Sequence, residues 1–221
     1  MTVIYLVRHG QTYFNRYNKM QGWSDSPLTQ QGIHDAQRIG KIFENTRFSY
    51  IASSDAHRAR QTAQIIIENN NCNKLKVHEI PEFRESFYGY FEGNDAFKTW
   101  FIVGQKKGYK TFKALVSKYG FDQVKDFMNE ADPFHEAETS FEYWRRINKA
   151  FKILSEHVSD ETNNPILLVT HGTTIRSIVD HYAPKKFPVI AEQPSNGSIT
   201  TIILDSLGQI KVKSYNKLTI D

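Results

Sequence analysis

Two short segments constrain this chain more than any other feature. Val3-Ile4-Tyr5-Leu6-Val7 is an unbroken run of β-forming residues followed at once by Arg8-His9-Gly10, and Ile166-Leu167-Leu168-Val169 runs into Thr170-His171-Gly172. A strand with one wet face alternates apolar and polar side chains. A strand without that alternation reads as buried on both faces, as in a parallel sheet covered by helices. The segments echo each other as LVRHG and LVTHG, so each sets a histidine just past the carboxyl end of a buried strand, where open α/β sheets bind ligands.

The chain between them alternates element types. Ile33, Ala36, Gly40 and Phe43 give Thr29 to Glu44 a helical spacing, and Phe48 to Ser53 reads as a short strand. Ser54 or Asp55 is placed to cap a helix from about His57 to Glu68, and Leu75 to Ile80 alternates as a further strand would. Thr139 with Glu142 forms a capping-box signature, after which Phe141, Trp144, Ile147, Phe151, Leu154 and Val158 mark one face of a long helix. Ile199 to Leu204 and Ile210 to Tyr215, joined around Ser206-Leu207-Gly208, read as a terminal hairpin. This order predicts a three-layer α/β/α sandwich with a mostly parallel central sheet, residues 1–221 forming one domain.

Residues 94–137 break the pattern. The stretch holds nine aromatics and several lysines but no arginine, with helical-looking pieces at Ala96 to Val103, Thr111 to Tyr119 and Phe121 to Glu130. An insertion at this edge of the sheet is expected to form a helical cap over the active site. Most of its aromatics are expected to pack the cap onto the core, with two or three facing substrate.

Composition narrows the partners. Of 221 residues, 28 are Lys or Arg and 24 Asp or Glu, a net charge of +4 without any basic run, which suits a small anion and argues against nucleic acid. Cys72 is the single cysteine, so no intramolecular disulfide forms and a reducing compartment is expected. The longest apolar run near the start, Val3 to Val7, is far short of a membrane span or signal-peptide core, so a soluble, cytoplasmic protein without a membrane partner is expected. No feature fixes an oligomeric state. His135-Glu136-Ala137-Glu138 matches no familiar metal-ligand spacing and reads as a solvated helix start, so neither a metal nor a cofactor is expected.

The motifs form an ordered series. RHGQTYFN is followed by Gln21-Gly22-Trp23, by Leu28-Thr29-Gln30-Gln31-Gly32, by SSDAHRARQTA from Ser53 to Ala63, and finally by His171-Gly172. In this order the chain resembles the histidine phosphatase superfamily, the phosphoglycerate-mutase-like proteins. The resemblance implies a phosphohistidine intermediate on His9, with Arg8, Arg58 and His171 around the transferred phosphoryl group. Phosphoryl transfer needs an in-line nucleophile and positive donors on three equatorial oxygens, and two planar guanidinium forks suit that task. A neutral imidazole attacks phosphorus if its other ring nitrogen is held as a donor, for instance to a carbonyl near Gly10. Thr12, Asn15 and Gln21 are expected to complete the pocket by hydrogen bonding, with Gly10, Gly22 and Gly172 at the phosphate.

A leaving alkoxide needs a proton. The segment from Glu82 to Gly93 resembles the family's acid/base motif, a glutamate four residues before a glycine followed by a Glu-Gly pair. Residue by residue this implies Glu85 as general acid/base, with Glu82 as competitor and Glu92 fixing the loop. Mutases acting on phosphoglycerate resemble one another in an adjacent arginine pair within the insertion. Here Lys106-Lys107 is the nearest substitute, and an ammonium does not reproduce a bidentate fork. The expectation is therefore a metal-independent phosphatase of small phosphomonoesters, with Trp100, Phe101, Tyr109 and Phe112 offering apolar contact to the leaving group. The alternatives are a cofactor-dependent phosphoglycerate mutase and an inactive relative that binds phosphorylated ligands.

Overall fold

The computed structural model describes residues 1–72, 75–158 and 164–220. Six strands form one sheet: β1 (Thr2–Arg8), β2 (Tyr50–Ser53), β3 (His78–Glu79), β4 (Ile166–Thr170), β5 (Ile199–Leu204) and β6 (Ile210–Lys217), in the order β3-β2-β4-β1-β5-β6. The first four are mutually parallel, while β5 and β6 close one edge as an antiparallel hairpin. The helices are α1 (Tyr13–Arg16), α2 (Gln30–Ile42), α3 (His57–Glu68), α4 (Ala96–Gln105), α5 (Phe112–Ala131), α6 (Ser140–Ser155) and α7 (Gly172–Tyr182).

The absence of alternation in β1 and β4 has the expected cause. Ile4, Leu6, Ile166 and Leu168 pack into one core with α6, α7 and the α4–α5 pair, whereas Val7, Leu167 and Val169 pack into a second core against α2 and α3. Burying both faces of each strand makes the three-layer sandwich. The parallel register then does something specific: Arg8 pairs with Thr170, so the residues that follow, His9 and His171, emerge side by side with ring centroids 5.2 Å apart.

Several local expectations are corrected. The helix at His57 starts where predicted but takes no side-chain cap, because Ser54 bonds His171 and Asp55 pairs with Arg84. The strand expected from Leu75 shrinks to His78–Glu79, both exposed on the sheet edge, where a short strand presents few unpaired backbone groups. In α6 the capping box forms, yet Phe141 is exposed, since the buried stripe runs Tyr143, Ile147, Ala150, Phe151, Leu154 and a residue two positions earlier points about 200° away. Within 94–137, α5 bends at Gly120, whose φ of 81° only glycine adopts freely; open space surrounds it, so backbone conformation rather than packing calls for glycine there. Among the described residues no helix is long and apolar enough to cross a membrane.

Candidate active site

The carboxyl ends of β1 and β4 open into a cavity of about 560 Å³, lined by Arg8, His9, Glu85 and Gly172 together with residues of α4 and of the segment leading into α5. His9 is almost fully buried, and its neighbours define its tautomer. Nδ1 lies 2.8 Å from the Gly10 carbonyl, which only accepts, so Nδ1 carries the hydrogen. Arg58 Nε, which only donates, lies 3.3 Å from Nε2, so Nε2 presents a lone pair. Burial, then the positive charges of Arg58 and Arg8, hold the His9 imidazole well below its ordinary pKa. The ring is therefore neutral, with its free electron pair on the nitrogen away from Gly10.

His171 is arranged with its ring reversed. Arg58 Nη2 donates to Nδ1 at 3.1 Å, so Nε2 carries the hydrogen and donates to Ser54 Oγ at 2.7 Å. Burial and the neighbouring Arg58 and His9 keep it neutral as well. Arg58 is wholly buried beneath both rings, with its remaining donors on the Gly22 and Ser24 carbonyls and Asp25. Arg8 reaches the cavity itself. Nη1 donates to the Pro194 carbonyl at 2.5 Å, and the buried Nε has no hydrogen-bond partner among the described residues. Burial lowers its pKa to about 10, which leaves it charged at neutral pH. A buried, charged donor without an acceptor is costly unless an anion fills the place.

Glu85 is 5% exposed. Its Oε1 accepts from the Ser86 and Thr174 N–H groups and Thr174 Oγ, and its Oε2 accepts from the Thr173 N–H at 2.8 Å. The carboxyl thus sits on the positive end of α7. Its segment is fixed from behind by Arg146, which donates to the carbonyls of Glu82, Arg84 and Glu85 and is itself paired with Glu138. Glu82 lies apart, its carboxylate 2.6 Å from Lys149 Nζ. Glu92 fastens the loop, accepting from the N–H groups of Gly22, Trp23, Ser24 and Tyr88.

The other named residues divide in two. Asn15, Gln21 and Gly172 line the cavity. Thr12 is fully buried and donates to Gln21 at 2.6 Å, and Gly22 contributes its carbonyl to Arg58. At Gly10, expected at the phosphate, the missing side chain admits Gly32, whose carbonyl oxygen would stand 2.2 Å from any Cβ placed there. Of the aromatics offered for the leaving group, Trp100 and Phe112 line the cavity, joined by Phe97, while Phe101 lies outside it and Tyr109 packs on Tyr119.

Sequence reasoning missed the charge on the far wall. Lys19, Lys110, Lys113 and Arg176 all line the cavity, whereas Lys107, in the anticipated pair, is tied to Glu130. Arg176 was legible in principle, since it lies four residues after Gly172 on α7 and shares its face. Lys110 and Lys113 were not, because which side of an insertion meets the core is set by tertiary packing.

The two neutral histidines predict an acid limit. Their folded pKa values lie below the unfolded 6.5, so the unfolded chain binds protons first as the pH falls. Stability should decline below about pH 6.5, by up to about 1.4 kcal/mol per pH unit per histidine. Thermal unfolding from pH 7 to 5 should show a shallower decline in His171→Gln than in the parent. Equal slopes would mean that the imidazoles do not control it.

The family model for the histidine phosphatase superfamily (branch 1) matches residues 4–100 and 104–217. The 2,3-bisphosphoglycerate-dependent phosphoglycerate mutase 2 of Gloeobacter violaceus is 26% identical over 217 residues, 92% of this chain and 91% of that protein. The crystal structure of phosphoglycerate mutase from Bacillus anthracis str. Sterne has a TM-score of 0.89 at 28% identity, covering 98% of this chain and 93% of that one. Phosphoserine phosphatase from Entamoeba histolytica, in complex with 3-phosphoglyceric acid, has a TM-score of 0.66 at 28% identity, covering 98% of each chain.

Proposed function

This chain belongs to the histidine phosphatase superfamily, branch 1, and from that premise we propose that it is a metal-independent phosphomonoesterase working through a phosphohistidine on His9. The observation that carries the reading is the neutral His9 ring, with its Nδ1 hydrogen on the Gly10 carbonyl and its Nε2 lone pair free of a proton in a cationic cavity. Nε2 attacks phosphorus as the ester P–O bond breaks. Glu85, which takes up a proton from solvent as the phosphate dianion enters beside it, gives that proton to the leaving oxygen. Glu85 then takes a proton from water, the water oxygen bonds phosphorus, the P–N bond breaks, and phosphate and neutral His9 are restored.

Arg8 and Arg58 neutralise the equatorial oxygens, which is the service a metal would otherwise give. Arg58 has to turn its Nε from His9 to the incoming phosphate. The dianion favours the cationic form of His171, which then becomes a donor. Residues 94–137 act as the cap, placing Trp100 and Phe112 against the leaving group.

One observation favours phosphoglycerate mutase as a second reading: Lys110 and Lys113 supply positive charge on the cavity wall where an arginine pair is missing. Phosphate release from a panel of monoesters, with and without chelator, should be assayed beside isomerisation of phosphoglycerate primed with bisphosphoglycerate. Chelator-insensitive release that outruns isomerisation is expected. The reverse order would make the chain a mutase whose lysines hold the substrate carboxylate.

A further inference from the structure

Helix α4 carries more apolar surface than its packing uses. Its sequence, AFKTWFIVGQ, holds Lys98 as its one charged residue. Thr99, Val103 and Gly104 are buried on the side that meets α5, and Trp100 faces the catalytic cavity. Phe97, Phe101 and Ile102 nonetheless stand in solvent at 75%, 46% and 44% exposure. They recur at i, i+4 and i+5 and so share one face. With Lys98 and Lys110 they line a groove on the outside of the helix. A helix apolar on both sides has a second face to cover.

Two residues decide what covers it. Phe97 and Lys110 line the groove and also the catalytic cavity, so the two are continuous across the rim they form. An ester whose phosphate reaches His9 has this path open to its alcohol portion. The groove has no acidic side chain, and the aliphatic stems of Lys98 and Lys110 can lie along an apolar chain while their ammonium groups stay in water. We infer that the α4 groove binds the tail of the substrate, and that the phosphomonoesters this chain prefers are those of long-chain, apolar alcohols. The inference rests on the phosphatase reading of the cavity, and it adds a recognition element outside the catalytic residues.

The test is kcat/KM along a series of n-alkyl phosphates from ethyl to dodecyl, each below its critical micelle concentration. The parent should gain about two- to fourfold for each methylene that enters the groove. In the double variant Phe101→Ser/Ile102→Ser, both outside the catalytic cavity, the dodecyl-to-ethyl ratio should fall by tenfold or more. The ratio is read within each protein, so a general loss of folded enzyme cancels. No hydrolysis of any member by the parent overturns the phosphatase reading itself. Hydrolysis with no chain-length gain, or a gain that survives the double substitution, overturns the groove alone. Cosedimentation with phosphatidylserine–phosphatidylcholine vesicles, or concentration-dependent self-association, lost in the double variant and accompanied by a flat series, would assign the face to a bilayer or to a second copy instead.

Discussion

His9→Ala is expected to lower phosphate release by on the order of 10⁴-fold or more, the scale on which removing a covalent nucleophile acts. His171 does not line the cavity as His9 does, and its ring is held between Arg58 and Ser54. The substitution costs Arg58 one acceptor, but Arg58 keeps its bonds to Gly22, Ser24, Asp25 and His171, and the main-chain N–H of His9 keeps its bond to the Thr170 carbonyl. Unfolding temperature should therefore change far less than activity. Steady-state release from an aryl phosphate, which demands least of the general acid, isolates the nucleophile. Full activity in the variant would sink the assignment.

Glu85→Gln is expected to slow hydrolysis of alkyl esters by roughly two to four decades, with a smaller loss for aryl esters, whose leaving oxygen needs less help from a proton. This leaving-group dependence separates lost acid catalysis from local damage. Glu85 accepts hydrogen bonds from Ser86, Thr173 and Thr174, so an amide there also disturbs the start of α7, and that disturbance would slow both ester types alike. Glu82→Gln is the control. Its carboxylate pairs with Lys149 outside the cavity, so activity should stay within a few-fold of the parent. A larger loss in Glu82→Gln than in Glu85→Gln for both ester types would mean that the motif had been placed three residues out of register.

The sandwich and the position of the site were legible because two local signals agree. The unbroken apolar runs reveal strands buried on both faces, and the residues that end them fall together once the strands pair in parallel, Arg8 opposite Thr170. The capping box at Thr139 is local chemistry too, and it forms as the sequence suggests. What escaped depends on contacts distant in sequence. Ser54 and Asp55 look like helix caps until His171 and Arg84 claim them. That Gly10 must also admit the backbone of Gly32 has no local signal. Phe101 and Tyr109 are indistinguishable from Trp100 and Phe112 by composition, and only the docking of α4 and α5 decides which pair faces the cavity. Lys110 and Lys113 were hidden for the same reason.

The most direct test of the central claim is to trap the phosphoryl group on the chain. The protein should be mixed with a labelled monoester, quenched in alkaline denaturant within the first turnover, and digested for mass analysis. A phosphoramidate formed at His9 should survive base, release its label in acid, and be absent from His9→Ala. Label on another residue, label that resists acid, or rapid turnover with no trapped label under conditions that favour accumulation would contradict the account.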